Sequence, residues 1–285
     1  MRSRVLFALA LALLWNTATY AQQIQPLTFV SDYYVRPGKE DEFMNLVKTV
    51  GAPVRDKLMA EGVVLAWGVD VPLMRAPGSP THSIWYDVAD WDGLQKVQTA
   101  MGAQLAKLAD EDKKAAEEAR KKGGKAPKST AERIQETLDT SRTRDWVFRG
   151  LFANFGSAPP PAGLLPFTRI FLITIKPGKY QAWRAAWDKY NKPILDKLVA
   201  DGVVGAYGIG TEEVRTSGDF THYAWVSVPN LSEKVRSAFI ADRGKRSAEE
   251  NEHILHTFDS LTDPNAARSF VLRAVIFKVA APPKK

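Results

Sequence analysis

Asp32 and Asp87 are carboxylates set in alternating, largely apolar stretches, each within two residues of an aromatic side chain, Tyr34 and Trp85. Burial disfavours the charged form of such a carboxylate and raises its pKa, which suits it to take a proton from a phenol or quinol. Arg149, at the end of Trp146-Val147-Phe148-Arg149, would hold the resulting anion, and Tyr34 and Trp85 would stack on a flat organic ring. In the competing reading the arginine only neutralises the aspartates and the tryptophan is core filler.

Other chemistries find less support. Glu249, His253 and His256 fall at i, i+4 and i+7 on one helical face, a spacing able to bind a transition metal, but two histidines and one carboxylate on an exposed helix form a weak motif. The sequence calls for no cofactor. His82 and His222 each follow a threonine at the start of a strand, which suits packing under a helix better than catalysis. The chain has no cysteine, so thiolate nucleophiles, disulfides and cysteine-ligated metals are excluded. Gly208-Ile209-Gly210 lies in or at the end of a strand with no glycine-rich helix start after it, and no Gly-x-Ser-x-Gly elbow is present, which disfavours nucleotide enzymes and serine hydrolases.

The elements that must position these residues are written twice. Pro26–Val88 aligns without a gap on Pro166–Val228 at a constant offset of 140, with 21 identities in 63 positions. They include Pro37-Gly38-Lys39 against Pro177-Gly178-Lys179, Gly62-Val63-Val64 against Gly202-Val203-Val204, and Thr81-His82 with Trp85 against Thr221-His222 with Trp225. Alternation predicts strands over 28–35, 63–71, 82–88 and 145–153, and three- and four-residue spacing predicts helices over about 40–61 and 91–122, resuming after Ser129. The second copy repeats the order with strands at 168–175, 203–209, 221–228 and 269–279 and helices at 180–198 and 231–261. Each half therefore reads β-α-β-β-α-β, a ferredoxin-like unit in an α+β chain. The final strands align at an offset of 124, so about 16 extra residues, within about 102–128, lengthen the helical region of the first copy. That Lys-rich stretch also carries Asp110-Glu111-Asp112 and Glu117-Glu118, as a solvated helix does; a docking arm for an acidic partner is the alternative. Nucleic acid is not an expected partner.

A strand ending in Pro-Gly-Lys, a helix bearing Phe43 or Trp183, and a Gly-Val-Val strand start resemble the dimeric α/β-barrel superfamily, with antibiotic-biosynthesis-monooxygenase-like members. The resemblance covers nearly the whole chain after residue 21. It implies that the two repeats close into one intramolecular barrel, and it implies cofactor-independent oxygenase chemistry if the protein is an enzyme. Fold alone fixes no function.

Within such a barrel, parity sends His82, Ile84, Tyr86 and Val88 under the helices and Ser83, Trp85 and Asp87 into the interior, with Tyr223, Trp225 and Ser227 in the second copy. Asp32 and Tyr34 face inward by the same argument, and Arg149 and Arg273 are assigned inward from the fourth strands. The ligand-binding set is thus Tyr34, Trp85, Tyr223, Trp225 and Arg273, beside the catalytic candidates Asp32, Asp87 and Arg149. The expected function is binding of a small aromatic or apolar organic molecule; the alternatives are a packed, non-catalytic module and haem or metal binding. Oligomeric state is left open.

Residues 1–21 have the basic start, apolar run of about 11 residues and small-residue end of a Sec-type signal, with cleavage expected before Gln22. The apolar run is about half of what spans a bilayer, so export to the periplasm or medium without a membrane anchor is expected. The remaining divisions are a first repeat at 22–155, a Pro-rich linker at 156–166, a second repeat at 167–280 and a short tail at 281–285.

Overall fold

The computed structural model describes residues 25–76, 78–155, 166–214 and 220–280. The leader 1–21, all of the 156–166 linker except Pro166, and the 281–285 tail lie outside the described residues.

The first half runs β1 (Leu27–Tyr33), α1 (Glu40–Leu46), a π-helical turn (Val47–Gly51), α2 (Ala52–Ala60), β2 (Val64–Pro72), β3 (His82–Val88), α3 (Trp91–Lys121), α4 (Thr130–Thr137) and β4 (Arg144–Asn154). The second runs β5 (Phe167–Ile173), α5 (Tyr180–Tyr190), α6 (Lys192–Ala200), β6 (Ala206–Glu212), β7 (His222–Val228), α7 (Lys234–Arg243), α8 (Ala248–Leu261), a short 3-10 turn and β8 (Arg268–Val279). The expected boundaries hold to within a few residues. The predicted helix over 180–198 divides at Asn191, where Pro193 enters the first turn of α6 and the backbone regularity is broken. Ser129 and Glu132 form the capping box that their spacing predicts. Gly62 and Gly202 close α2 and α6 with φ of 74° and 70°, a left-handed turn that explains their repetition.

The eight strands form one closed antiparallel barrel in the order β1-β3-β2-β8-β5-β7-β6-β4. Each half contributes four neighbouring strands, and the halves join through β2 with β8 and β4 with β6. Closure leaves no sheet edge unpaired. The helices cover the outside, where each half has its own apolar core: Phe43, Trp67, Tyr86 and Val97 in the first, Trp183, Trp187, Tyr207 and Ile209 in the second. Among the described residues no helix is long and apolar enough to cross a membrane.

Candidate functional site

The interior face is fixed by register. Leu27, Tyr86 and Val88 lie in the outer core, so their strand neighbours Thr28, Trp85 and Asp87 point into the barrel. On β2, Trp67 and Val69 are in the outer core, and Ala66, Gly68 and Asp70 point inward. Val30↔Trp85↔Gly68 forms a middle layer, with Asp32↔Ser83↔Asp70 on one side of it and Thr28↔Asp87↔Ala66 on the other.

Three carboxylates therefore line the first half of the interior. Asp32 accepts from Ser83 Oγ (2.5 Å) and Trp146 Nε1 (3.0 Å). Asp70 accepts from Trp85 Nε1 (2.8 Å) and Asp87 from Thr28 Oγ1 (2.6 Å). Desolvation raises all three pKa values. For Asp32 the hydrogen bonds and nearby Arg144 oppose it. Asp70 and Asp87 each have one neutral donor against the desolvation, and their pKa values reach about 7 and about 6. All three keep partial solvent accessibility, as do Trp85, Tyr223 and Trp225.

Trp85 and Trp225 are accommodated the same way. A side chain at Gly68 would begin 2.8 Å from the Trp85 ring, and one at Gly208 would begin 2.7 Å from the Trp225 ring. Each indole also meets a phenylalanine from the other half's chain, Phe277 and Phe155 respectively. Tyr223 crosses between the halves: it packs on Phe148 (4.8 Å) and lies near Thr28 and Asp87 of the first half.

Several expected placements are corrected. Arg149 pairs in register with Leu27, an outer-face residue, so it points outside and forms an ion pair with Glu213 (2.5 and 2.9 Å). Arg273 pairs with Phe167, the second-half counterpart of Leu27, and lies in an external cleft. Neither arginine reaches the aspartates, because parity counted from Phe148 and Leu272 puts each on the opposite face. Asp32 and Asp87 are four residues apart in register, roughly 13 Å along the strands, and do not meet. Tyr34 lies past the end of β1, where its hydroxyl donates to the Gly78 carbonyl and Arg142 stacks on its ring at 3.9 Å, away from Trp85.

His82 is buried against Phe43 (4.7 Å) and His222 stacks on Tyr180 (5.0 Å), both under the helices and both beside their preceding threonines. His253 and His256 are exposed, and among the described residues no group of three or more metal-binding side chains assembles. Asp70 was missed by the sequence argument. Its signal was available: Ala66, Gly68 and Asp70 alternate with Trp67, Val69 and Val71, and Asp70 stands opposite Gly210 in the repeat.

No family model matches the sequence, and no curated protein matches it. Solved structures resembling it include a provisionally assigned monooxygenase from Lactobacillus acidophilus, with 8% identity, 90% of this chain and 97% of the other covered, and a TM-score of 0.55. A second provisionally assigned monooxygenase, from Fusobacterium nucleatum, has 13% identity, coverage of 92% and 98%, and a TM-score of 0.53. An anthrone oxidase-like protein has 11% identity, coverage of 93% and 97%, and a TM-score of 0.50. The chain has the dimeric α/β-barrel fold. In this dimeric α/β barrel both sheets come from one chain, so the two halves are free to differ. The interior carboxylates Asp32, Asp70 and Asp87 correspond in the repeat to Leu172, Gly210 and Ser227 of the second half.

Proposed function

We propose that the interior of the first half binds a small aromatic or apolar organic molecule and that Asp87 and Asp70 exchange protons with it. The observation that carries this reading is the pair of interior carboxylates with pKa values near neutrality, each held by one neutral donor beside Trp85. A base works best when its pKa lies close to the operating pH. Asp87, held by Thr28, is the base; Trp85 is the ring platform, oriented by Asp70.

If the site turns over, the reaction this arrangement suits is oxygenation without a bound cofactor. Asp87 removes a proton from an activated O–H or C–H, the delocalised anion passes electrons to O2, one oxygen atom enters the product as a carbonyl and the other leaves as water. The monooxygenase and anthrone oxidase-like names among similar structures agree with this chemistry, at identities that speak for fold alone. Export, expected from residues 1–21, is part of the proposal. A binding module without turnover is the second reading, favoured by the aromatic filling from Phe148, Phe277 and Trp225.

The test uses anthrone in aerated buffer, measuring bound ligand by Trp fluorescence and turnover by oxygen uptake. The wild-type protein should bind it, and Asp87→Asn should lose at least about 100-fold in turnover, the lower range for loss of a general base. Binding with no oxygen uptake would support the module, and no binding of anthrone or related phenols would overturn both readings.

A further inference from the structure

The first half carries a second concavity, outside the barrel and independent of the interior. A cleft of about 560 Å³ lies between α1 and the ends of β3, β2 and β8. Its walls are apolar, from Met44, Val71, Leu73 and Val275, and the neutral ring of His82 forms part of its base. Arg75 and Arg273 complete the lining. Neither arginine has a hydrogen-bond or ion-pair partner among the described residues, and Glu40 on the opposite wall is beyond ion-pair distance of both.

The repeat shows what a closed version of this place looks like. In the second half Tyr180 stands where Glu40 stands and stacks on His222 with the rings 11° from parallel. Arg149, the counterpart of Arg273, is held by Glu213, and Leu73 occupies the position of Glu213 in the first half. One copy therefore fills the space with a ring and neutralises its arginine internally. The other leaves the space open, an apolar side chain where the carboxylate was, and the cation unanswered.

We infer that this cleft binds a small organic carboxylate with an apolar body, its carboxylate taking the place that Glu213 fills against Arg149 and its body lying on Met44, Leu73 and Val275. Guanidinium groups match carboxylates in charge and in fork geometry, and the volume suits a molecule of medium chain length. The carboxylate and the apolar wall are both required, since either alone leaves a cation or a hydrophobic surface uncovered.

The experiment is calorimetric titration of the full chain with octanoate and, separately, with 1-octanol. Octanoate should bind at least about tenfold more tightly than the alcohol, the size expected for one charge-assisted hydrogen bond. Arg273→Gln should remove that preference. Leu73→Glu, which recreates the second half's ion pair on a surface position, should weaken octanoate by about tenfold or more without lowering the unfolding temperature. Asp87→Asn should bind octanoate as wild type does, which separates this cleft from the interior. Equal binding of octanoate and octanol, no binding of octanoate, or unchanged octanoate affinity in both Arg273→Gln and Leu73→Glu would overturn the inference.

Discussion

The two halves share their frame and differ in what the frame encloses. Thr28 and Thr168, Gly68 and Gly208, His82 and His222, and Trp85 and Trp225 occupy matching places and make matching contacts. At four other interior positions the first half has Asp32, Asp70, Ser83 and Asp87, and the second has Leu172, Gly210, Tyr223 and Ser227. Because the second half closes its sheet without a carboxylate at any of these four positions, its one inward-facing sheet acid being Glu212 at the end of β6, the fold does not need the three aspartates. Desolvated acids cost stability, and their presence in one copy alone is what places the proposed site in the first half.

Making the halves alike should have the largest effect. Asp87→Ser, which copies Ser227, should lower turnover of a phenolic substrate by about 100-fold or more, and Ser227→Ala should leave it unchanged. Oxygen uptake checks both.

The next effect is on stability against pH. Asp70 and Asp87 have folded pKa values above their unfolded ones, so the protonated forms favour the native state. Their contribution is fully present below about pH 4 and is lost as pH rises through 6 to 7. Asp70→Asn should remove a few kcal/mol of that loss and raise the unfolding midpoint most at pH 8, as denaturant titration at pH 5 and pH 8 will show.

A third contrast lies under the helices. Arg55 is buried over Trp67 and Tyr86, with Nε and one Nη lacking partners, where the second half has Leu195. Arg55→Leu should be neutral or stabilising by about 1–4 kcal/mol, measured by chemical denaturation. The shared frame gives the opposite outcome: Gly68→Ala and Gly208→Ala should each cost about 1–3 kcal/mol, since the added carbon meets a backbone carbonyl and an indole in both halves. A large difference between these two variants would sharpen the contrast between the halves beyond their charges. The smallest effect is expected from Glu213→Leu, which removes a partly exposed ion pair and should cost at most about 1 kcal/mol with no change in turnover.

Most of the barrel was legible because duplication and alternation are both local signals. The repeat located the strands, and parity along His82–Val88 placed Trp85 and Asp87 correctly, since Ile84, Tyr86 and Val88 mark the covered face beyond doubt. The fourth strands gave no such marker: Trp146, Phe148 and Leu272 are apolar but inward-facing, so hydrophobicity suggested the wrong face for Arg149 and Arg273. In a closed barrel both faces of a strand are covered, and only register against a neighbour separates them. Asp70 was legible by the same parity, since Trp67, Val69 and Val71 alternate with Ala66, Gly68 and Asp70, but only once the covered face of β2 is known.

The first half holds two interior aspartates, Asp70 and Asp87, poised near neutrality, and the second half has Gly210 and Ser227 in their places. Carbon-13 carboxyl NMR of the Asp-labelled protein, titrated from pH 4 to pH 9, tests this contrast directly. Two aspartate resonances should titrate with midpoints near 7 and near 6, the first absent in Asp70→Asn and the second in Asp87→Asn. Midpoints below about 4.5 for every aspartate would show the interior to be an ordinary hydrated polar surface and would contradict it.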